Sequence, residues 1–540
     1  MKRLFIIPYL LVSSLVFAQN NASKVPFFYF SNTLKKQQQE LKSNPLMLRF
    51  QESRKKYEAD KYRPIYHFTS PEGKLNDPNG LSFWNGKWHL FYQAYPPEDP
   101  RQHWGHAISD DLIHWKDLPY AIYPGPERAV FSGAVMIEND RALAIYFGTT
   151  KGIMLAESKD PLLLNWQKLN EAKPIIPSVS SDGKPLPYRI YDPFLWKKDQ
   201  WYYALSGATK IDSIHQKIRG AQFLFRSKNL IDWEYMHDFL KGDRFTDLGD
   251  DGACPYFLPI GNKHLLAFFS HRSGGQYFLG NYDKNKDVFN IDSHAKFNFG
   301  ATSPSGVHAP SAFPDGKGGI IALFNMNQGR PSIDGWNQLM TLPRRLTLAE
   351  NEQDILVEPA GDIAALRTNH QHLEKILLPA NKEMVIKEIR GNTMEIMTEI
   401  DTKNSRMLEM NVLRSKNKEE YTSIKFFREK GYEESKQFAE PPKGKVRNSV
   451  VSIETAYSST LPDTSPRPTE SAQVYLAPSE KLKLRIFIDK SVLEVFVNGK
   501  QCLSVRVYPG LEDSLGISFR SQGQSAEVLS LDAWQMKSIY

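Results

Sequence analysis

The sequence predicts an all-β protein, a five-bladed β-propeller followed by a C-terminal β-sandwich, and three observations carry the prediction. From about residue 61 to about residue 365 the chain is aromatic-rich, and its short apolar runs are broken by Asn, Asp, Gly and Pro turns. Within that stretch one pattern recurs five times: a polar or small residue, a short strand, a turn, then an apolar strand. From about residue 376 the texture changes to longer alternating runs, clearest in "LKLRIFIDKSVLEVFVNGKQCLSVRVYP" around an Asn498-Gly499 hairpin turn.

The elements follow in chain order. Residues 1–18 open with Lys2 and Arg3, continue through an apolar run and end at Val16-Phe17-Ala18, the plan of a secretory signal peptide. The apolar run is shorter than the roughly 20 residues a membrane span needs, so the expectation is an exported protein, periplasmic or extracellular, with no membrane span. Residues 19–60 read as a polar N-terminal arm with partial helix. Residues 61–365 are the propeller, whose five copies are "NDPNGLSFWNGKWHLFYQ", "FSGAVMIENDRALAIYFG", "YDPFLWKKDQWYYALSG", "GACPYFLPIGNKHLLAFFS" and "HAPSAFPDGKGGIIALFNM". Their turns, near Asn85-Gly86, Asn139-Asp140, Lys198-Asp199, Gly261-Asn262 and Asp315-Gly316, lie 54 to 63 residues apart. Units of that size hold a hairpin and two further strands, as a propeller blade does; five loosely similar hairpins of a sandwich are the alternative. Residues 376–540 form a second all-β unit, most simply a sandwich, with a Pro/Ser/Thr-rich loop at 461–472.

Composition narrows the function. The net charge of +7, or +5 without the leader, is spread over a chain rich in both signs and gives no reason to expect nucleic acid or an anionic surface as a partner. Cys254 and Cys502 are too few for a thiolate zinc site and sit in different units, so no disulfide is expected. The acidic run "DRFTDLGDD" lacks the alternating ligand spacing of a calcium loop. No metal-ligand cluster or phosphate loop stands out, so no metal and no cofactor is expected.

In a propeller the first strand of each blade faces a shared axis, so equivalent repeat positions converge. Counting back seven or eight residues from each turn gives Asp77, Ser132, Asp192, Ala253 and His308. Singly, Asp77 in "NDPNG" reads equally as an Asx turn and Asp192 in "YDPFLW" as a strand start before Pro. Two carboxylates at matched positions, in an exported protein without a cofactor motif, point instead to glycoside hydrolysis.

These residues also carry a family resemblance. "HFTSPEGKLNDPNGLSFWNGKWHLFYQAYP", "WGHAISDDLIHWKDLP", "FSGAV", "YDPFLW", "MTLPRRLTL" and "FIDKSVLEVFVNG" occur in an order that resembles glycoside hydrolase family 32, the invertases, levanases and inulinases. The resemblance runs from about residue 62 to the C-terminus. It implies retaining cleavage of β-D-fructofuranosides, with Asp77 as nucleophile and Asp192 stabilising the oxocarbenium-like transition state. It also implies substrate contacts from Asn76, Gln93, Trp104, Phe131 and Ser132, the aromatics stacking on a sugar ring and the amides meeting hydroxyls.

Two positions depart from the family pattern. Tyr191 replaces the Arg of the usual Arg-Asp-Pro, and Ala253 stands where the acid/base Glu is expected. Alanine cannot donate a proton, and losing general-acid help costs about 10²–10⁴-fold. One answer is displacement to Asp251, which lies two residues back on the same face of a strand, about 6.6 Å away. Its rival is that "GDDG" is a solvated turn. Other answers are a donor elsewhere, such as His308 or a residue on a loop, or a fructan-binding protein with weak turnover. The reading is an exported retaining hydrolase of a β-fructofuranoside such as levan, inulin, fructo-oligosaccharide or sucrose. Its alternatives are a five-bladed glycosidase of other specificity, on an arabinofuranoside or anhydro-sugar, and the binding protein.

Overall fold

The structure, a computed structural model, describes residues 22–180, 182, 184, 186–331, 335–431, 447–477 and 479–540. The expected signal peptide lies outside them. Five sheets follow one another along the chain, and each lays down its four main strands in sequence order. Their first strands are Lys74–Trp84, Val130–Ile137, Ile190–Lys198, Ala253–Ile260 and Val307–Pro314. Each of these packs against the first strands of two other blades, and the last packs against the first, so the ring closes. This is the five-bladed propeller that the repeats predict.

The ring has a floor. The Tyr256 hydroxyl accepts from the Gly80 N–H (3.1 Å), donates to the Gly133 carbonyl (2.9 Å) and meets Ser311 Oγ at 2.8 Å. Its ring lies 5.5 Å from that of Phe194. One fourth-blade side chain thus touches the inner strands of the other four. Gly80 cannot carry a side chain here, because a Cβ would sit 2.5 Å from Val135 Cγ2.

Above that floor every inner strand is bulged at the same height. The register with the second strand shifts between Leu75 and Pro78, Val130 and Gly133, Tyr191 and Pro193, Ala253 and Tyr256, and Val307 and Pro310. A bulge re-aims the side chains it contains. The residues inside the five bulges are Asn76-Asp77, Phe131-Ser132, Asp192, Cys254-Pro255 and His308-Ala309, so sequence-distant polar groups are turned onto one axis.

The N-terminal arm forms two helices, Leu34–Ser43 and Pro45–Tyr57. Asn44 starts the second by accepting from the N–H groups of Leu46 and Met47, with Pro45 at the first helical position, where its missing N–H costs nothing. Leu46 and Phe50 then bury their side chains, and Arg54 binds Asp117 and lies over the Tyr540 ring.

The last part of the chain builds two six-stranded antiparallel sheets, from Arg367–Leu378 through Ala526–Met536. Between them lies a core of its own, with Ile396, Met410, Ile486 and Phe519 at 0–1% exposure. Sandwich and propeller are joined by a buried polar knot. Asp489 accepts from the backbone N–H groups of Ile65, Tyr66 and His67 at 2.8–2.9 Å. Glu494 accepts from the Leu342 N–H (2.7 Å), Arg344 (2.8 Å) and Ser504 (2.6 Å). The His67 ring lies between the two acids, 2.9 Å from Asp489 and 3.1 Å from Glu494. Burial opposes a charge there, but hydrogen bonds to both carboxylates prevail and raise His67 to about 9. Cys254 and Cys502 are both buried and unpaired.

Candidate active site

The axis holds a connected polar cluster built on Asp77. Its Oδ2 accepts from Ser132 Oγ (2.5 Å) and Gln93 Nε2 (3.2 Å), and its Oδ1 meets His308 Nδ1 at 3.1 Å. Gln93 Nε2 also donates to Ser132 Oγ (2.7 Å), while its Oε1 accepts from Asn76. Asn325 extends the chain by donating to Asn76 Oδ1 (3.1 Å) and Gln338 Oε1 (2.6 Å). Both oxygens of Asp77 are thus held in place, which is what a nucleophilic carboxylate requires.

Asp192 stands beside it. The Cys254 backbone N–H donates to Asp192 Oδ2 (3.2 Å), and Cys254 Sγ lies 3.5 Å from Asp192 Oδ2 and 3.8 Å from Asp77 Oδ2. A single thiol therefore bridges both carboxylates. Cys254 adopts φ 49°, a left-handed backbone uncommon outside glycine, and this places its N–H and sulfur together in the cluster.

Electrostatics separate the two acids. Burial alone would raise Asp77, but the hydrogen bond and charge of His308 and the Ser132 hydroxyl hold it below the usual carboxylate range. Asp192 has fewer donors, and burial followed by the Asp77 charge pushes it up to about 6. Two carboxyl groups whose environments drive their affinities for protons apart are the arrangement that paired-carboxyl chemistry uses.

The structure brings Asn76, Asp77, Gln93, Ser132 and Asp192 together as the sequence predicts, with Phe131 half-buried at the rim. Three expectations are corrected. Blade four presents Cys254 to the carboxylates where counting by repeat gives Ala253, because Ala253 is still paired with Phe269 and the bulge begins only at the next residue. Trp104 is fully buried: its indole N–H donates to the Phe131 carbonyl (2.9 Å) and its ring packs near Phe91 and Tyr146. It positions the Phe131 strand and offers no face for a sugar. Asp251 does not present a free carboxyl to the axis, since its Oδ1 accepts from the His271 backbone N–H (2.8 Å) and its Oδ2 meets His271 Nδ1 (2.6 Å).

"GDDG" is accordingly no solvated turn. Asp250 faces the other way, is buried, and accepts from Ser270 Oγ (2.8 Å) and Ser273 Oγ (2.7 Å), so the two aspartates grip the hairpin tip 270–273 from both sides. Gly252 lets the segment sit close to blade three. A Cβ there would lie 2.4 Å from Gln222 Nε2, which donates to the Gly252 carbonyl. The departures Tyr191 and Ala253 are neighbours: with Cys254, Phe269 and Ala309 they form a small apolar cluster beside the carboxylates.

The sequence reading missed His271, Asn325 and Gln338. His271 was open to inference from strand pairing: Ala253 pairs with Phe269, so two residues outward on each strand Asp251 faces His271. His370, His372 and Asp532 stand close enough together to share an ion, but they lie on the sandwich, where His370 and His372 already bond to Asp532.

The family description "Glycosyl hydrolases family 32 N-terminal domain" matches residues 67–359, and its C-terminal counterpart matches residues 362–535. The chain belongs to glycoside hydrolase family 32. As a family 32 member it is an O-glycosyl hydrolase of the β-fructofuranosidase type. A sucrose-6-phosphate hydrolase of Zymomonas mobilis is 28% identical over 499 residues, covering 86% of this chain and 90% of that protein. A levanase of Bacillus subtilis is 25% identical, covering 90% of this chain and 72% of that one. Among solved structures, fructan 1-exohydrolase IIa of Cichorium intybus superposes with a TM-score of 0.76 at 22% identity, covering 89% and 98% of the two chains. Its likeness shows the propeller-plus-sandwich fold. Among the described residues no helix is long and apolar enough to cross a membrane.

Proposed function

We propose that this family 32 chain is an exported retaining hydrolase that releases fructose from β-D-fructofuranosides, among them levan, inulin, fructo-oligosaccharides and sucrose. The observation that carries the reading is the pair Asp77 and Asp192, buried on the propeller axis, bridged by Cys254 and pushed to opposite sides of the ordinary carboxylate range. Asp77, ionised and held by Ser132, Gln93 and His308, attacks the anomeric carbon and forms a fructosyl ester. Asp192 faces the developing positive charge of the ring. Asn76 and Phe131, both partly exposed, supply an amide for hydroxyls and a ring for the apolar sugar face. A proton must also reach the departing oxygen, and Ala253 cannot supply it. Export rests on the leader-like residues 1–18, and cell fractionation for released activity tests it.

A second reading, a fructan-binding protein with weak turnover, rests on Ala253. One assay decides between them: fructose release from levan, inulin and sucrose by the wild type and Asp77→Asn. Release that disappears in Asp77→Asn supports the hydrolase. Sugar binding with no release, unchanged by Asp77→Asn, supports the binding protein.

A further inference from the structure

Cleavage of a fructoside needs a proton on the leaving alcohol, and the residue at the usual position is an alanine buried at 1% exposure. Four groups stand near enough to be candidates. Cys254 is wedged between the two carboxylates, where burial and their charges raise its thiol far above a useful range. The hydrogen bond and charge of His308 are what hold the nucleophile Asp77 below the usual carboxylate range, so a proton given up by that ring would undo Asp77. Asp251 has both oxygens engaged by His271. There remains His271 itself, at the tip of the hairpin that joins the second and third strands of blade four. Its ring lies 6.1 Å from that of His308, with Phe269 between the hairpin and His308 at 4.0 Å.

We propose that His271, oriented by Asp251, is the acid/base of this site and replaces the glutamate that Ala253 lacks. The inference rests on the fructosidase reading above and deepens it. Asp251 fixes the ring through Nδ1, which leaves Nε2 to face the substrate; an aspartate holding one nitrogen while the other moves a proton is the logic of a Ser-His-Asp site. Asp250 supports the same hairpin through Ser270 and Ser273, so the ring is carried on a rigid tip. The side chain is 67% exposed, which lets it recover its proton from water. The groups that set its charge are Asp251 first, opposed by burial, then Asp192 and Asp77; together they raise it above its ordinary value. Arg272, next in the chain, donates to the Leu248 carbonyl, and His308 is the remaining titratable neighbour.

The step balances. The Nε2–H of protonated His271 passes to the glycosidic oxygen as the bond from that oxygen to the anomeric carbon breaks, and an Asp77 oxygen bonds to that carbon. The alcohol leaves. Neutral His271 then takes a proton from water, whose oxygen attacks the same carbon and releases Asp77, restoring both groups.

Leaving-group dependence tests the assignment. His271→Ala is expected to lose about 10²–10⁴-fold in kcat/KM on sucrose and inulin. On 4-nitrophenyl β-D-fructofuranoside, whose phenolate leaves unaided, the loss is expected to stay below about tenfold. Asp251→Asn keeps a hydrogen-bonding partner but removes the charge, and is expected to move the alkaline fall of the sucrose profile to lower pH. Equal losses on both substrates would assign His271 a structural role and overturn the proposal, as would full activity of His271→Ala on sucrose. Asp77→Asn separates the two levels: it should abolish both substrates, and if it does not, the fructosidase reading fails and this assignment falls with it.

Discussion

Replacing Asp192 by Asn should abolish turnover and stabilise the protein at neutral and alkaline pH. Asp192 is 8% exposed, and its folded value is raised from 3.8 to about 6 by burial and by the charge of Asp77. It therefore holds its proton more tightly in the folded chain. The stability this contributes is fully present below 3.8 and is lost as the pH rises through about 6. A shift of about two units corresponds to ~3 kcal/mol. Asn cannot ionise, its carbonyl can still accept the Cys254 N–H, and its amide can donate toward Asp77. Asp77 itself is shifted downward, so its own window lies below 3.8 and does not overlap. Calorimetric melting of wild type and Asp192→Asn between pH 4 and 8 reads the effect as a difference curve. The variant should gain stability on the wild type as pH climbs from 4 to 6 and keep a gain of about 3 kcal/mol, a few degrees in Tm, up to pH 8. A difference that does not change with pH, or a wild type that is the more stable at pH 8, would refute the account of the pair.

Ser132→Ala removes a hydroxyl that donates to a buried carboxylate, an interaction of about 1.5–3 kcal/mol; kcat/KM for sucrose should fall about ten- to a hundredfold, and its acidic limb should move to higher pH. His67→Gln leaves Asp489 and Glu494 buried without their shared cation and should cost about 3–5 kcal/mol in denaturant unfolding. His67 is raised from 6.5 to about 9, so the stability it contributes is fully present below pH 6.5 and is lost as the pH rises through about 9. The wild-type melting temperature should decline across that window, and the His67→Gln curve should lack the decline.

The five blades were legible because each repeats a turn and an apolar strand, and the counted positions Asp77, Ser132, Asp192 and His308 do meet on the axis. The count slipped at Cys254 because a bulge breaks the alternation on which counting depends, and in blade four it begins one residue past the counted Ala253, which is still paired with Phe269. Trp104 misled for another reason. An aromatic beside a site motif suits stacking, but Trp104 lies on a third strand that is buried along its whole length, a fact that depends on the neighbouring blade. Asp251 was read from its own strand alone, whereas what its carboxylate touches, the His271 N–H and ring, depends on the strand paired with it. Motif order carried the family assignment, and the knot gives some of those motifs a physical reason. His67, Arg344, Asp489 and Glu494 come from three separately quoted segments and meet in one buried cluster.

That knot has a consequence for how the chain is made. Residues 65–67 lead into the first blade, and Leu342 and Arg344 belong to the last, so Asp489 and Glu494 clasp the two ends of the ring. A ribosome has finished every blade before it reaches either acid. The seam between first and last blades therefore waits, held by the packing of their inner strands and by hydrogen bonds such as Leu81 N–H to Ser311 and Asn325 to Asn76, until more than a hundred further residues have emerged. Only then is the seam clasped, so the ring that holds Asp77 and Asp192 is completed near the end of synthesis, and a chain shortened before residue 489 should not form a stable one.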